Sequence, residues 1–357
     1  MIIGIDANEA NLTTRRVGVN QYAYELLWEI YNQKTNHTFI IYLKNKPQED
    51  LPKKKKGFEY RVIPFPKLWT QTRLPFDLFF HSPRPDVFFS MTHYAPRWSP
   101  VPTVVAIMDL GFLKTPEQFT KKDFNQLKSW TEYSIKNATK ILAISEFTKK
   151  DIVRKYGIDP SKITVTHLGI SADMKPTKEK CRFKNYILFL GSLKPSKNIE
   201  GIVRAFAKIS GDYQLVIAGK KAWMFDKIFA VVKELKLEDK IIFTDFVKDE
   251  ERPVLMTNSE VFVMPSFYEG FGIPALEAMA CGAPVVVSTV ASIPEVVGDA
   301  GIYVDPNNPE DIAKGIQKAI KEKGKYRKLG LERVKLFSWI KCAQQTLLCL
   351  ETATEKN

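Results

Sequence analysis

Apolar residues come in short runs bounded by turns, and each run gives way to a stretch with helical spacing. Continuous apolar runs are the signature of strands buried on both faces, so the alternation predicts βαβ units and parallel sheets: an α/β protein. In the first half the pattern predicts strands at Ile2–Asp6, Phe39–Leu43, Tyr60–Ile63, Val87–Phe89, Thr103–Met108 and Lys140–Ile144. Helices fall near Gln21–Asn32, Lys122–Asn137 and Glu146–Tyr156. In the second half strands fall near Tyr186–Leu190, Gln214–Ala218, Ile241–Thr244, Val261–Met264, Pro284–Ser288 and Gly301–Val304, each followed by a helical pattern.

The polar, proline-containing stretch Ser171–Asn185 has no periodicity and reads as a linker. It divides the chain into two doubly wound domains, 1–175 and 183–335. Tyr326–Thr352 reads as one helical stretch, long enough for 336–357 to leave the second domain and pack on the first. Ligands of doubly wound sheets bind beyond the carboxyl ends of the strands, which makes the cleft between two such domains the expected site.

Composition narrows the class. With 357 residues, 45% hydrophobic and 26% charged, the chain is globular in type, and collagen, coiled-coil and disordered classes drop out. Cys181, Cys281, Cys342 and Cys349 show no paired CxxC spacing, which argues against a zinc cage or a disulfide framework. The opening MIIGIDANEA has no basic n-region, and no uninterrupted apolar run approaches membrane-spanning length, so a cytoplasmic protein is expected. Residues 1–180 hold 28 basic and 18 acidic residues, a net of +10, whereas 181–357 hold 25 and 22, a net of +3.

The densest chemistry lies in Pro265–Gly282, PSFYEGFGIPALEAMACG, where a strand turns through two glycines into a helix starting around Pro274. Proline tolerates the first helical turn, and a glycine loop ahead of it presents backbone donors at the positive end of the helix dipole, an anion site suited to phosphate. Glu269 and Glu277, eight residues apart, straddle this turn, and carboxylates are bidentate acceptors for paired sugar hydroxyls. A second segment, YILFLGSLKPSKN, runs from a strand through Gly191 to Lys194 and Lys197 ahead of a helix at Ile199–Ala207. It lacks GxxxxGK[ST] and GxGxxG, so neither a P-loop nor a dinucleotide fingerprint is supported.

These segments, with the CGAPVVVS…IPEVVGDAG run and AISEFTKKDI, together resemble the retaining glycosyltransferases of family 4, whose GT-B fold places two Rossmann-like doubly wound parallel-sheet domains facing across a cleft. The resemblance is dense over about residues 140–305 and looser through the first half. It implies that Glu269 contacts hydroxyls of the donor sugar and Glu277 holds the nucleotide ribose. Gly270, Phe271, Gly272 and Ile273 form the turn whose amides meet the sugar and its diphosphate. Gly191, Ser192 and Lys197 lie at the phosphates, with Lys197 neutralising the leaving group. Phe246 and Val247 meet the base, and Gly18 belongs to the glycine loop on the acceptor side. Asp109 is carried over with Glu269 and Lys197 as catalytic. Two positions depart from the pattern: Met108–Asp109 stands where many members have His-Asp, and serines at 192 and 196 occupy places where a phosphate-binding arginine is often found.

The implied activity is metal-independent front-face transfer of a hexose, first of all mannose from GDP-mannose, to a glycan or lipid-linked acceptor. No Asp-x-Asp motif suggests a metal, and no cofactor is expected. The departures leave a rival reading, a nucleotide-sugar or glycan-binding protein on the same scaffold without turnover. An epimerase or a phosphorylase of similar architecture is a third reading, though no motif names a Schiff-base lysine. His93 and His167 stand at strand-to-loop transitions, where a histidine lines a cleft or serves the core, and His93 is the acceptor-side candidate. Cys281 reads as a packing residue. Lys53–Lys56, Arg61, Lys67, Arg73, Arg84 and Arg97 interleave with aromatic residues between Phe58 and Trp98, which suits an anionic membrane surface or acceptor as well as ordinary solvation. No helix-turn-helix, RNP or zinc motif accompanies this charge, so nucleic acid is not an expected partner.

Overall fold

Buried on both faces, the apolar runs pair into two all-parallel sheets. The computed structural model describes residues 1–12, 16, 18–116, 119–219, 226–245 and 247–355. Contacts divide the chain into a first unit, Met1–Gly169 with the segment from Ser338 onward, and a second unit, Ile170–Phe337.

The first unit runs β1 (Ile2–Asp6), α1 (Val19–Asn32), β2 (Thr38–Leu43), β3 (Phe58–Val62), α2 (Arg73–Phe80), β4 (Val87–Ser90), β5 (Thr103–Ile107), α3 (Lys121–Asn137), β6 (Lys140–Ala143), α4 (Glu146–Tyr156) and β7 (Ile163–Val165). Its sheet order is β3-β2-β1-β4-β5-β6-β7, with Ile3 opposite Phe39 on one side and Val87 on the other. Ile3, Ile5, Ile41, Phe88 and Val105 are fully buried. Helix starts follow local chemistry: the side chains of Thr120 and Ser145 accept from Asp123 N and Thr148 N, and α4 ends on Gly157 at φ 65°.

The second unit runs β8 (Tyr186–Leu190), α5 (Ile199–Phe206), β9 (Gln214–Ala218), α6 (Asp226–Glu234), β10 (Ile241–Phe243), α7 (Glu251–Asn258), β11 (Val261–Met264), α8 (Ile273–Ala280), β12 (Val285–Ser288), α9 (Ile293–Val297), β13 (Gly301–Val304), α10 (Pro309–Lys321) and α11 (Lys323–Arg333). Its sheet order is β10-β9-β8-β11-β12-β13. Each sheet reverses direction of strand order once, between β1 and β4 and between β8 and β11. Crevices open at these points because successive crossovers leave in opposite directions.

The helical stretch expected over Tyr326–Thr352 is interrupted. After α11 come a 3-10 turn at Val334–Leu336, extended residues at Phe337 and Ser338, and then α12 (Trp339–Thr352). This last helix belongs to the first unit and packs on α1, with the Tyr22 and Trp339 rings 6.2 Å apart and His37 Nε2 2.8 Å from Glu351 Oε1. Gly169 is required at this crossing, since a Cβ there would sit 2.2 Å from Trp339 N. The stretch read as a linker is bonded onto the second unit: Thr177 N donates to Thr257 Oγ1, and Asn258 Nδ2 donates to Glu179 O. Neither the three-residue β7 nor α2 was anticipated from the pattern.

Candidate active site

The loops after β8 and β11 leave the sheet at the crevice of the second unit and are stitched together. Asn198, buried and at φ 55°, donates through Nδ2 to Pro265 O (3.1 Å) and Pro306 O (2.6 Å). Phe267 N donates to Ser196 O at 2.8 Å. These bonds bring Lys197 against Glu269, with Nζ 2.6 Å from Oε1. The same carboxylate oxygen accepts from Ser266 Oγ at 2.7 Å, and Ser292 Oγ holds Glu269 O at 2.9 Å. Ser266 is itself fixed by Ser288 Oγ at the end of β12. Glu269 is thus 7% exposed yet satisfied, while Lys197 keeps 20% of its side chain open to solvent.

Gly272 adopts φ 95° at the N-cap of α8, a conformation that costs a β-carbon residue strain, and a Cβ there would lie 2.6 Å from Ile293 Cδ1. No side chain caps α8, Pro274 supplies no N–H, and no acid occupies the first turn. The positive end of this helix is therefore unneutralised by its own residues. Phe271 is buried edge-on against Phe337, with ring centroids 5.8 Å apart, which fixes the turn from beneath.

One and a half turns into α8, Glu277 is buried against Arg252 from α7, which also reaches Asp249 at 3.5 Å. Burial pushes the Glu277 carboxyl above its usual range, with the guanidinium pulling the other way. Glu269 and Glu277 therefore do not share a basic partner: Lys197 serves the first and Arg252 the second. Arg252 and Ser266 were missed in the sequence because nothing in their local spacing marks a partner so distant along the chain.

The neighbouring loops line the same sheet edge. Gly191 N donates to Ala218 O and Gly219 N to Asp245 O, and a Cβ on Gly219 would come within 1.9 Å of Gly191 O. Ser192 O accepts from Lys194 N, and Val247 is buried. Phe246 lies outside the described residues. Cys281 ends α8, fully buried, its thiol pushed up to about 12 by burial, as a packing residue requires.

The crevice of the first unit holds a cleft of about 280 Å3 whose lining includes Asp6, Asn8, Glu9, Trp69, Thr92 and Tyr94. Asp6, at the end of β1, is 6% exposed, and burial pushes its carboxyl up to about 6. Its Oδ1 accepts from Asn8 N (3.1 Å) and Asn8 Nδ2 (2.7 Å), leaving Oδ2 unpaired among the described residues. Glu9, also raised by burial, is held by Asn20. A wall with two carboxylates, each pinned through one oxygen, is an acceptor surface for hydroxyl donors. The sequence carried this pair in DANE, a string with no motif to separate it from an ordinary turn.

Gly18, at φ 56°, caps α1 in an exposed loop. Met108, where the resemblance leads one to expect histidine, is buried, and its carbonyl accepts from Thr148 Oγ1. Asp109 accepts from Gly111 N at 2.7 Å. His93 Nδ1 is buried without a partner, and burial pushes the imidazole down while nearby Asp109 pulls it up. Among the described residues no three His, Cys, Asp or Glu side chains converge as a metal site. His167, two residues beyond β7, is half-buried.

Comparison with known proteins now places the chain. It is 32% identical to the O-antigen chain mannosyltransferase B of Escherichia coli over 289 residues, 76% of this chain and 73% of that one. It is 31% identical to the O-antigen chain mannosyltransferase RfbU of Salmonella typhimurium (strain LT2), spanning 61% of this chain and 59% of that relative. Its fold matches the sucrose-phosphate synthase of Thermosynechococcus elongatus with a TM-score of 0.79 at 19% identity, covering 98% of each chain. Glycosyltransferase Family 4 matches residues 17–174 and Glycosyl transferases group 1 matches 173–332, in tandem along the two units. The chain therefore belongs to the group 1 glycosyltransferases and has the GT-B fold.

Proposed function

We propose that this glycosyltransferase moves mannose from GDP-mannose to a glycan or lipid-linked acceptor, with retention of configuration and without a metal, working peripherally at a membrane surface. The observation that carries the reading is the Lys197–Glu269 pair beside the uncapped end of α8. Breaking the bond from C1 to the diphosphate sends its electron pair to the leaving oxygen, and positive charge gathers on the sugar. Lys197 and the amides of the Gly272–Ile273 turn meet the departing negative charge, and fixed donors of this kind lower a barrier by solvating charge that develops only in the transition state. Glu269 holds sugar hydroxyls, Glu277 the ribose, Gly191 and Ser192 the phosphate edge, and Phe246 and Val247 the base. The acceptor hydroxyl attacks C1 on the face the diphosphate leaves, and its proton passes to the leaving diphosphate.

The cleft of Asp6 and Glu9, whose lining also holds Lys44, supports an acceptor site for a hydroxyl-rich sugar; Thr92 and Tyr94 on either side of His93 line it, and the family resemblance adds Gly18 to the acceptor side. The mannosyl choice is supported by two relatives whose names specify mannosyl transfer to O-antigen chains. Incubation with GDP-mannose and an α-mannoside-terminated acceptor, followed by NMR of the new anomeric centre, tests the reading. An α-linked product supports it, a β-linked product removes retention, and donor binding with no product across an acceptor panel favours the rival without turnover, for which Met108, Ser192 and Ser196 speak.

A further inference from the structure

The first unit carries an apolar face that its own fold leaves uncovered. In α2, Leu74, Pro75, Asp77 and Leu78 are buried, whereas Phe76, Phe79 and Phe80 are 56, 41 and 73% exposed. Their spacing puts the three rings on one outward face, where Phe80 contacts both others with ring centroids 4.9 and 6.2 Å apart. Leu68, one turn ahead of the helix, is 56% exposed, and Gln71 accepts from Arg97 N, which brings the 63% exposed Trp98 alongside. Large aromatic side chains clustered in water carry a standing cost, and such patches mark contact surfaces.

Cations outnumber acids around the face. Lys67, Arg84 and Arg97 are exposed, Arg84 donates to Phe79 O, and Arg73 lies over the Phe76 ring. Of the acids in the same stretch, Asp77 is fully buried against Arg61, while the exposed Asp86 accepts from Ile2 N through one oxygen. Aromatic rings bordered by an excess of cations are the composition that inserts shallowly into an anionic leaflet, rings at the acyl boundary and cations at the headgroups. No helix among the described residues is long and apolar enough to cross a membrane.

We propose that the α2 face, centred on Phe76, Phe79 and Phe80 with Lys67 and Arg84 at its rim, docks the protein on an anionic lipid bilayer. This deepens the membrane-side reading of the acceptor and rests on it. The test is flotation of the full chain with phosphatidylcholine vesicles, with and without 30 mol % phosphatidylglycerol, in parallel with calorimetric titration of GDP. The wild type is expected to bind the anionic vesicles at least tenfold better than neutral ones. Raising salt from 0.05 to 0.5 M should cut that binding severalfold by screening. Phe76→Ser/Phe79→Ser/Phe80→Ser should lower it at least tenfold and Lys67→Glu/Arg84→Glu severalfold, both with unchanged GDP affinity. Equal binding by wild type and triple variant overturns the proposal, as does no binding by wild type that retains GDP affinity. A wild-type dimer that the triple variant dissociates, with no vesicle binding, assigns the face to a second copy instead. Loss of GDP binding by the wild type would count against the donor-site reading and not against the surface.

Discussion

The ammonium of Lys197 lies 2.6 Å from a carboxylate oxygen of Glu269, across 72 residues of chain, because the loops after β8 and β11 are bonded to each other at Asn198–Pro265 and Ser196–Phe267. The pair sits at the crevice of a doubly wound sheet, where the strands end and an uncapped helix begins. The lysine satisfies a buried carboxylate, and on the proposed function a diphosphate at the helix end would offer it a second anion.

The two members of this pair should separate by assay. Lys197→Ala is expected to weaken GDP binding by roughly 10- to 100-fold, the usual scale for losing one charge-assisted contact. Glu269→Gln should leave GDP binding within a few-fold of wild type while turnover of GDP-mannose falls by about 10²-fold or more, since it acts on the sugar. Calorimetry and a radiolabel transfer assay read the two effects. Full turnover by either variant would remove that residue from the site.

Arg252 and Glu277 form a buried pair whose halves are unequal to lose alone. Arg252→Ala should destabilise the fold on the order of 3 kcal/mol in urea denaturation, because it strands a buried carboxylate. Glu277→Gln in that background should recover much of the loss. The pH dependence follows from the upward shift of Glu277. A carboxyl raised in the folded state favours folding at low pH, and that contribution is lost as pH rises through its folded value, so Arg252→Ala should be more destabilised at pH 8 than at pH 5.

Gly272 answers two constraints at once, its φ of 95° and the nearby Ile293 Cδ1. Gly272→Ala is expected to lower stability by about 1–3 kcal/mol from backbone strain and crowding and to weaken GDP binding by moving the α8 amides. Ile293 is itself fully buried and its truncation carries its own cavity cost, so the crowding is read by a double-mutant cycle: in thermal melts Gly272→Ala should cost less in an Ile293→Ala background than in the wild type, without the cost vanishing, because the φ stays strained.

Asp6, raised to about 6 by burial, gives a prediction in the first unit. Its unfavourable charged form appears as pH rises, so Asp6→Asn should gain stability relative to wild type between pH 4 and 7.5, by up to about 3 kcal/mol. Thermal melts across that range check the sign. A difference independent of pH would show that burial does not shift this carboxyl.

Much of this was legible in the sequence because parallel strands buried on both faces leave continuous apolar strings, as in Tyr186–Leu190 and Val285–Ser288, and the Glu269–Glu277 turn carries its own spacing. α2 was illegible for the opposite reason: RLPFDLFF has apolar residues on both faces and a proline near its start, so no helical stripe stands out. The break at Phe337–Ser338 was hidden by good helix formers on either side. Arg252, Ser266 and Asn198 matter through partners brought near only by the sheet, and no window along the chain contains both members of those pairs.

Calorimetric titration of the full chain with GDP and UDP, each with and without EDTA, and then with GDP-mannose tests the central claim most directly. The account predicts GDP binding unchanged by EDTA, a clear preference over UDP, and loss of at least tenfold in Lys197→Ala. Binding of neither nucleotide, or binding that EDTA abolishes, would contradict a donor site built from Lys197 and the start of α8.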